Sequence, residues 1–324
     1  MKRYLFILLA LFGCVSINAQ AGELSITSLN IGAGTKGLNY QGLCTHSQFG
    51  SNNDLTIVGL RRYLGQIAVD NYSYGSDQSL LLLQEVDVLT QRNIGWNMPE
   101  YFANHLNQYM QSNGIYNWQW TSHFSGIPYR NGQYGIATLS SASLQKSTTR
   151  FHQVNDDPHN QVYQSVKVNA DGEWFWVINT HFTAGDPLVA QQQLDEVLNY
   201  VDTLDPTVNV VIAGDFNIYR DGLHKTLCPS GGLCNGADHQ QAYQDMVNAL
   251  DNSGFSELGS YAGACWNNNT CSFKATGANY ARMDYIFLRS ANTAFTTSLQ
   301  LDRPFVDNSC LLTDHFSLNA TLSW

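Results

Sequence analysis

Five short polar clusters in this 324-residue chain carry side chains that could do chemistry together: Gln84-Glu85, Asn179-Thr180-His181, Gly214-Asp215-Phe216-Asn217, Arg282-Met283-Asp284-Tyr285 and Thr313-Asp314-His315. Between them they offer carboxylate and amide oxygens and two imidazoles. Such oxygens are ligands for hard divalent cations, and an imidazole exchanges a proton near neutral pH. The chemistry available is therefore cation-assisted acid–base catalysis. Each cluster alone has a plainer reading. Glu85 suits a polar strand end, Gly-Asp-Phe-Asn suits a turn, and His181 or His315 suits an ordinary core or surface position. The plain readings do not explain why all five clusters fall beside apolar, strand-like runs.

Those runs are the elements that must position the clusters. Leu80–Leu83 leads into Gln84, Trp176–Ile178 into Asn179 and Val210–Ala213 into Gly214, while Asp284 opens one run and His315 precedes another. Strand-like composition marks Leu24–Ile31, Ser79–Glu85, Trp118–Ser122, Gly135–Leu139, Val162–Val168, Glu173–Thr180, Val208–Gly214, Met283–Arg289 and Phe316–Ser323. Helical periodicity marks Leu55–Val69, Met98–Met110, Pro187–Leu204 and Gln240–Leu250, with Asp186 placed to cap the third. Many strands among few helices indicate an α/β domain of two packed sheets with helices outside. Side chains gathered at one end of such sheets can share a pocket.

Composition sets further bounds. Hydrophobic residues make up 44% of the chain and charged ones 13%, which supports a large core and excludes disorder. With 16 Lys+Arg against 26 Asp+Glu the formal charge is −10, which argues against coating duplex DNA through a broad basic surface. An acidic enzyme still holds a phosphodiester where its carboxylates carry a divalent cation. Lys2-Arg3, the apolar run Tyr4–Val15 and the small-residue site Ala19-Gln20-Ala21 read as a secretory signal peptide over residues 1–21, leaving one domain over 22–324. Removing Lys2 and Arg3 leaves 14 basic against 26 acidic residues, or −12. Leu11-Phe12-Gly13-Cys14 loosely matches a lipoprotein signal, so anchoring at Cys14 is the alternative. No run reaches the roughly 20 apolar residues of a membrane-spanning helix. The expectation is a secreted or periplasmic monomer. Six further cysteines suit disulfides in an exported chain. Their spacing suggests Cys228 with Cys234, Cys265 with Cys271, and Cys44 with Cys310, one of fifteen connectivities.

The ordered set Asn30, Gln84-Glu85, Tyr134-Gly135-Ile136-Ala137-Thr138-Leu139-Ser140, Asn179-Thr180-His181, Gly214-Asp215-Phe216-Asn217, Arg282-Met283-Asp284-Tyr285 and Thr313-Asp314-His315 resembles the endonuclease/exonuclease/phosphatase superfamily, the DNase I-like fold, from Leu24 to Trp324. The resemblance implies a four-layered α/β sandwich, two packed mixed β-sheets flanked by helices, and metal-dependent cleavage of phosphate esters. It assigns Asn30, Glu85 and Asp314 to a metal, Mg2+ with Mn2+ or Ca2+ as alternatives, Asp314 having a supporting position beside the metal as its other reading. It makes His315 the general base paired with Asp284, sets Asp215 and Asn217 to orient water and a phosphate oxygen, and gives His181 to the leaving group or the phosphate. Histidine at 181 resembles the nuclease, sphingomyelinase and inositol-polyphosphate phosphatase branches rather than the abasic-site repair branch. The implied substrate is DNA, with RNA or a phospholipid headgroup as alternatives; a non-catalytic module on the same fold is the third possibility. Tyr116, Trp118 and Trp120 suggest either a membrane-touching hairpin or the buried face of a strand. Arg92, Arg130 and Arg150 are candidate phosphate contacts, and Ser141 stands where many relatives carry a basic residue.

Overall fold

The computed structural model describes residues 22–34, 54–93, 95–156, 161–218, 236–259, 273–274, 280–302, 305–306 and 310–324. The proposed signal peptide and Cys14, Cys44, Cys228, Cys234, Cys265 and Cys271 lie outside them. In chain order the strands are β1 (Glu23–Asn30), β2 (Gln78–Val88), β3 (Thr121–Tyr129), β4 (Gly132–Ser140), β5 (Lys146–Phe151), β6 (Val162–Ala170), β7 (Glu173–His181) and β8 (Asn209–Asp215). There follow β9 (Ser256–Glu257), β10 (Phe273–Lys274), β11 (Tyr280–Ala281), β12 (Asp284–Arg289), β13 (Thr296–Asp302), β14 (Phe305–Val306), β15 (Cys310–Leu311) and β16 (Ser317–Ser323). Among the described residues the α-helices are α1 (Asp54–Ser73), α2 (Met98–Ser112), α3 (Pro187–Val201) and α4 (Gly236–Asn252).

Period-two alternation sorts the side chains into layers. One six-stranded sheet runs β13-β16-β1-β2-β4-β3 and the other β5-β6-β7-β8-β12-β9. Leu24, Ile26, Leu80 and Leu82 from the first meet Val177, Val211, Ala213 and Ile286 from the second in a buried core between the sheets. The intervening residues turn outward. Leu29, Leu81 and Leu83 pack with Leu60, Leu64, Phe102 and Leu106 of α1 and α2, whereas Trp176, Ile178, Val210 and Ile212 pack with Leu194, Val197, Met246 and Leu250 of α3 and α4. Every central strand is thus apolar on both faces, and the expected four-layered α/β sandwich is the fold observed.

All nine expected strands and four helices are present, with shifted ends. Asp186 caps α3 by accepting from Leu188 N at 2.8 Å, and Pro187 occupies its first turn. Strand β3 starts at Thr121 rather than Trp118. Trp118 and Trp120 are only 6% and 3% exposed and pack in the α1–α2 layer, so the two tryptophans are core, whereas Tyr116 is 72% exposed. β5 and β13 were not anticipated, because as edge strands they carry Lys146, Arg150 and exposed hydroxyls instead of an apolar run.

The two sheets are tied by a buried amide. Asn179 Nδ2 donates to Leu83 O at 3.2 Å and Ala137 O at 3.0 Å, and its Oδ1 accepts from Gln84 Nε2 at 2.8 Å. Deleting it leaves three buried polar groups without this partner, each costing about 1–3 kcal/mol if it stays unmatched. Asn179→Ala should therefore lower unfolding stability by about 2–4 kcal/mol in urea titration at unchanged m value. A midpoint equal to the wild type would show that this amide does not hold the sheets together.

Candidate active site

The polar side chains of the site continue the same alternation that builds the core. In β8, Val211 and Ala213 face the other sheet, so Asp215 does too; in β12 the series Leu288, Ile286 ends in Asp284; in β7, Phe175 and Val177 lead to Asn179 and His181. Register places His181 opposite Asp215 and Asp215 opposite Asp284, so three of these residues share one rung. From the first sheet, Leu24 and Ile26 lead to Asn30, and Leu80 and Leu82 to Gln84, again opposite one another. His315 lies two residues before the start of β16, which runs antiparallel to β1 and so begins at this end.

Local backbone geometry aims the rest. Gly214 has φ 148°, and a Cβ there would lie 1.9 Å from Thr180 O on the adjoining strand, so only glycine fits before Asp215. Asn217 takes a left-handed conformation with φ 51°. Its backbone N donates to Asp215 Oδ1 at 2.9 Å and its Nδ2 to Phe182 O at 2.8 Å, which folds the turn back over the rung. Glu85, also left-handed at φ 53°, sits where the β2–β4 register shifts between Leu83 and Val86. Such a bulge re-aims one side chain, and the half-buried Glu85 reaches Asn30.

All eight residues singled out in the sequence lie at this end. His315 Nδ1 and Asp284 Oδ2 are 2.9 Å apart, and His315 Nε2 lies 3.7 Å from Asp215 Oδ2 and 4.0 Å from Asp314 Oδ1. His181 Nε2 is also 3.7 Å from Asp215 Oδ2. Asn30 Nδ2 donates to Glu85 Oε1 at 3.0 Å and to Asp215 Oδ2 at 2.9 Å, while its Oδ1 accepts from Gly32 N at 2.9 Å, occupying one of two lone pairs. Thr313 Oγ1 donates to Asn30 O at 2.9 Å and ties the Asp314-His315 segment to β1.

The electrostatics follow from burial and crowding. Burial and then the neighbouring Asp284 charge raise the Asp215 carboxyl above its ordinary range, against the two imidazoles and Asn30. Burial acts to lower the His315 pKa, but Asp284, Asp215 and Asp314 outweigh it and push it up to about 9. A ring so loaded reports a strongly negative surrounding. The donor set suits a divalent cation: one amide nitrogen touches both Glu85 and Asp215, which brings two carboxylate oxygens together, and Asp314 stands beside His315. Ligating atoms of Asp215, Asp284 and His315 also lie within 4.8 Å of one another. Of that trio, Asp284 and His315 are engaged with each other at 2.9 Å, while Asp215 is joined through Asn30 to Glu85.

Two neighbours had no role assigned from sequence. Tyr134 is held neutral, its pKa raised well above 10 by burial and then by Glu85. Asp87, fully buried, accepts from Thr90 Oγ1, Asn93 Nδ2 and both Arg92 Nε and Nη2, and Asn93 in turn donates to Ala33 O at 2.8 Å beyond Asn30. This network braces the loops after Glu85 and Asn30; its only sequence signal is a polar residue two positions past Glu85. Ser141 lies at the other end of β4, where its Oγ accepts from Ser79 N at 2.8 Å, so no phosphate contact is lost there.

The sequence model of the Endonuclease/Exonuclease/phosphatase family matches residues 28–315. A comparison with curated protein sequences gives no match. Similar solved structures include a family protein from Leptotrichia buccalis (15% identity, TM-score 0.58, covering 93% of this chain and 100% of that one). They also include TDP2 from Caenorhabditis elegans (16%, 0.55, 93% and 74%) and D. rerio TDP2 complexed with single strand DNA product (16%, 0.53, 93% and 98%). At such identities the structures attest the fold, while the sequence match covers every residue of the site. The chain belongs to the endonuclease/exonuclease/phosphatase family and is a metal-dependent phosphoric ester hydrolase.

Proposed function

We propose that the chain is an exported, Mg2+-dependent endonuclease that hydrolyses DNA, with RNA as the nearest alternative. The observation that carries this reading is the Asp284–His315–Asp215 cluster with His181 on the same rung. It places a base and a candidate acid each 3.7 Å from the same carboxylate oxygen, Asp215 Oδ2. Asp284 fixes His315 by its Nδ1, which presents Nε2 to a water and stabilises the imidazolium formed when that water gives up its proton. The water oxygen attacks phosphorus, the bond to the leaving oxygen breaks, and His181 supplies the proton that oxygen takes. Asn30 keeps Glu85 and Asp215 converged, and Asn217, held by Phe182 O, retains a second amide N–H for the water or a phosphate oxygen. A divalent cation held by Glu85, Asp215 and Asp314 would polarise a phosphoryl oxygen, acidify its water and offset the negative charge that loads His315.

Nucleic acid is favoured because D. rerio TDP2 was solved with a single-stranded DNA product. The aromatic segment gives a lipid surface little support, since Trp118 and Trp120 are core residues before β3, at the end of the sandwich away from the site, and only Tyr116 of the three is exposed. Export rests on the leader pattern before Gly22, and no described helix is long and apolar enough to cross a membrane. The proposed disulfides rest on the same compartment.

Three outcomes are expected. His315→Ala should lower turnover of plasmid DNA by about 10^2- to 10^4-fold with an unchanged circular dichroism spectrum; near-normal nicking would remove His315 as the base. EDTA should stop nicking and added Mg2+ restore it, whereas undiminished activity in EDTA would remove the cation. In metal-free protein, NMR should show the His315 ring titrating near pH 9. Because Asp284 raises that pKa, Asp284→Asn should move the titration to lower pH, and no movement would contradict the pairing.

A further inference from the structure

Phe151, the last residue of edge strand β5, is 48% exposed. It pairs with Val162 in β6, and the register that sets Tyr163 opposite Thr180 carries Val162 to the level of His181. Phe151 therefore ends the rung that holds His181, Asp215 and Asp284. It also shares their face. Thr149, two residues earlier, meets Ser125 of the first sheet at 2.6 Å, which shows that these alternate β5 side chains look toward the opposing sheet. Two strand spacings put the Phe151 Cα about 10 Å from that of His181, within reach of nucleotides flanking the bond broken.

The surroundings of the ring are aromatic and cationic. Arg150 turns to the other face, its guanidinium 4.3 Å from the Tyr200 ring centre. A groove of about 530 Å3 borders this strand, lined by Arg150, Phe151, Gln153, Tyr163, Asn199 and Tyr200. Glu196 also lines it, but its carboxylate already accepts from Gln153 N and Val154 N and lies 2.7 Å from His152 Nδ1, so its charge is partly answered.

Resting on the nucleic-acid reading above, we propose that the β5 edge is a subsite for single-stranded nucleic acid, where an unpaired base stacks on Phe151 and an adjoining phosphate accepts from Arg150. Stacking on one exposed ring requires a base with a free face, which a duplex does not offer. Sparse basic residues also suit a short strand better than a long duplex, whose binding needs many cationic contacts. The scale of base–aromatic stacking predicts about a tenfold effect on oligonucleotide KM.

The test compares wild type, Phe151→Ala, Phe151→Trp and Arg150→Gln on single-stranded oligonucleotides of two to eight nucleotides. Bis(4-nitrophenyl) phosphate is the reference, because it is too small to span from His181 to β5. The ratio of oligonucleotide to small-diester kcat/KM should fall about tenfold in Phe151→Ala through KM, stay near wild type in Phe151→Trp, and lose part of its salt dependence in Arg150→Gln. A ratio unchanged within twofold in Phe151→Ala overturns the subsite and leaves the nuclease reading intact. Nicking of plasmid DNA and turnover of the small diester with no single-stranded oligonucleotide cleaved by the wild type overturns the subsite alone, whereas turnover of the small diester with neither plasmid nor oligonucleotide cleaved overturns both. Release of headgroups from sphingomyelin vesicles that depends on Phe151, without oligonucleotide cleavage, reassigns the ring to a lipid contact and likewise overturns the proposal.

Discussion

Burial of the Asp215 carboxyl is the constraint on which the site depends. A carboxylate taken out of water is costly unless nearby groups replace its hydration. Here the replacements are specific: Asn30 Nδ2 and the Asn217 backbone N–H as donors, and two imidazoles each 3.7 Å from Oδ2. Asp284 works against them, since burial and that second charge together raise the Asp215 pKa. The same crowding drives His315 the other way, up to about 9. A cation entering among these carboxylates would meet an arrangement already short of positive charge, which is how an acidic chain can present a local site for a phosphate ester.

That constraint reaches outward through the backbone. Gly214 must lack a side chain because Thr180 O occupies the space, and the close approach of β7 and β8 there is what sets His181 opposite Asp215. Thr313 holds the segment before β16 to β1, so His315 and Asn30 share one frame although 285 positions separate them in sequence. Asn179 and Gln84, one step deeper, join the sheets without entering the chemistry. The site is therefore the last polar layer of the inter-sheet core, and its rigidity comes from the apolar layers below it.

Much of this was legible in the sequence because alternation in central strands is regular. Once Val211 and Ala213 are inward, Asp215 must be, and the same count places Asn30, Asn179 and Asp284. What could not be read has physical reasons too. Edge strands β5 and β13 bury little, so they show no apolar run. The amide orientation of Asn30 depends on Gly32 N and two carboxylates distant in sequence. The Trp118 and Trp120 pair looks the same in sequence whether it meets a membrane or α2, and only packing decides.

Backbone strain also separates the two ends of the sandwich. Left-handed residues at the far end include Asp171-Gly172, a dipeptide suited to a tight hairpin and readable as such. At the active end the described strained positions are Ala33, Glu85, Leu89 and Asn217, together with Arg130 and Asn131 in the two-residue β3–β4 turn. Glutamate and arginine have no intrinsic preference for that region, so the surrounding structure must impose it. At Glu85 the strain re-aims a carboxylate. At Arg130 it sets a guanidinium 5.2 Å from the Tyr129 ring centre, on a hairpin whose strands run out past Glu85. Conformations that cost energy are tolerated where the packed layers beneath can hold them, and in this protein that support is used to place charge around one end of the sheets.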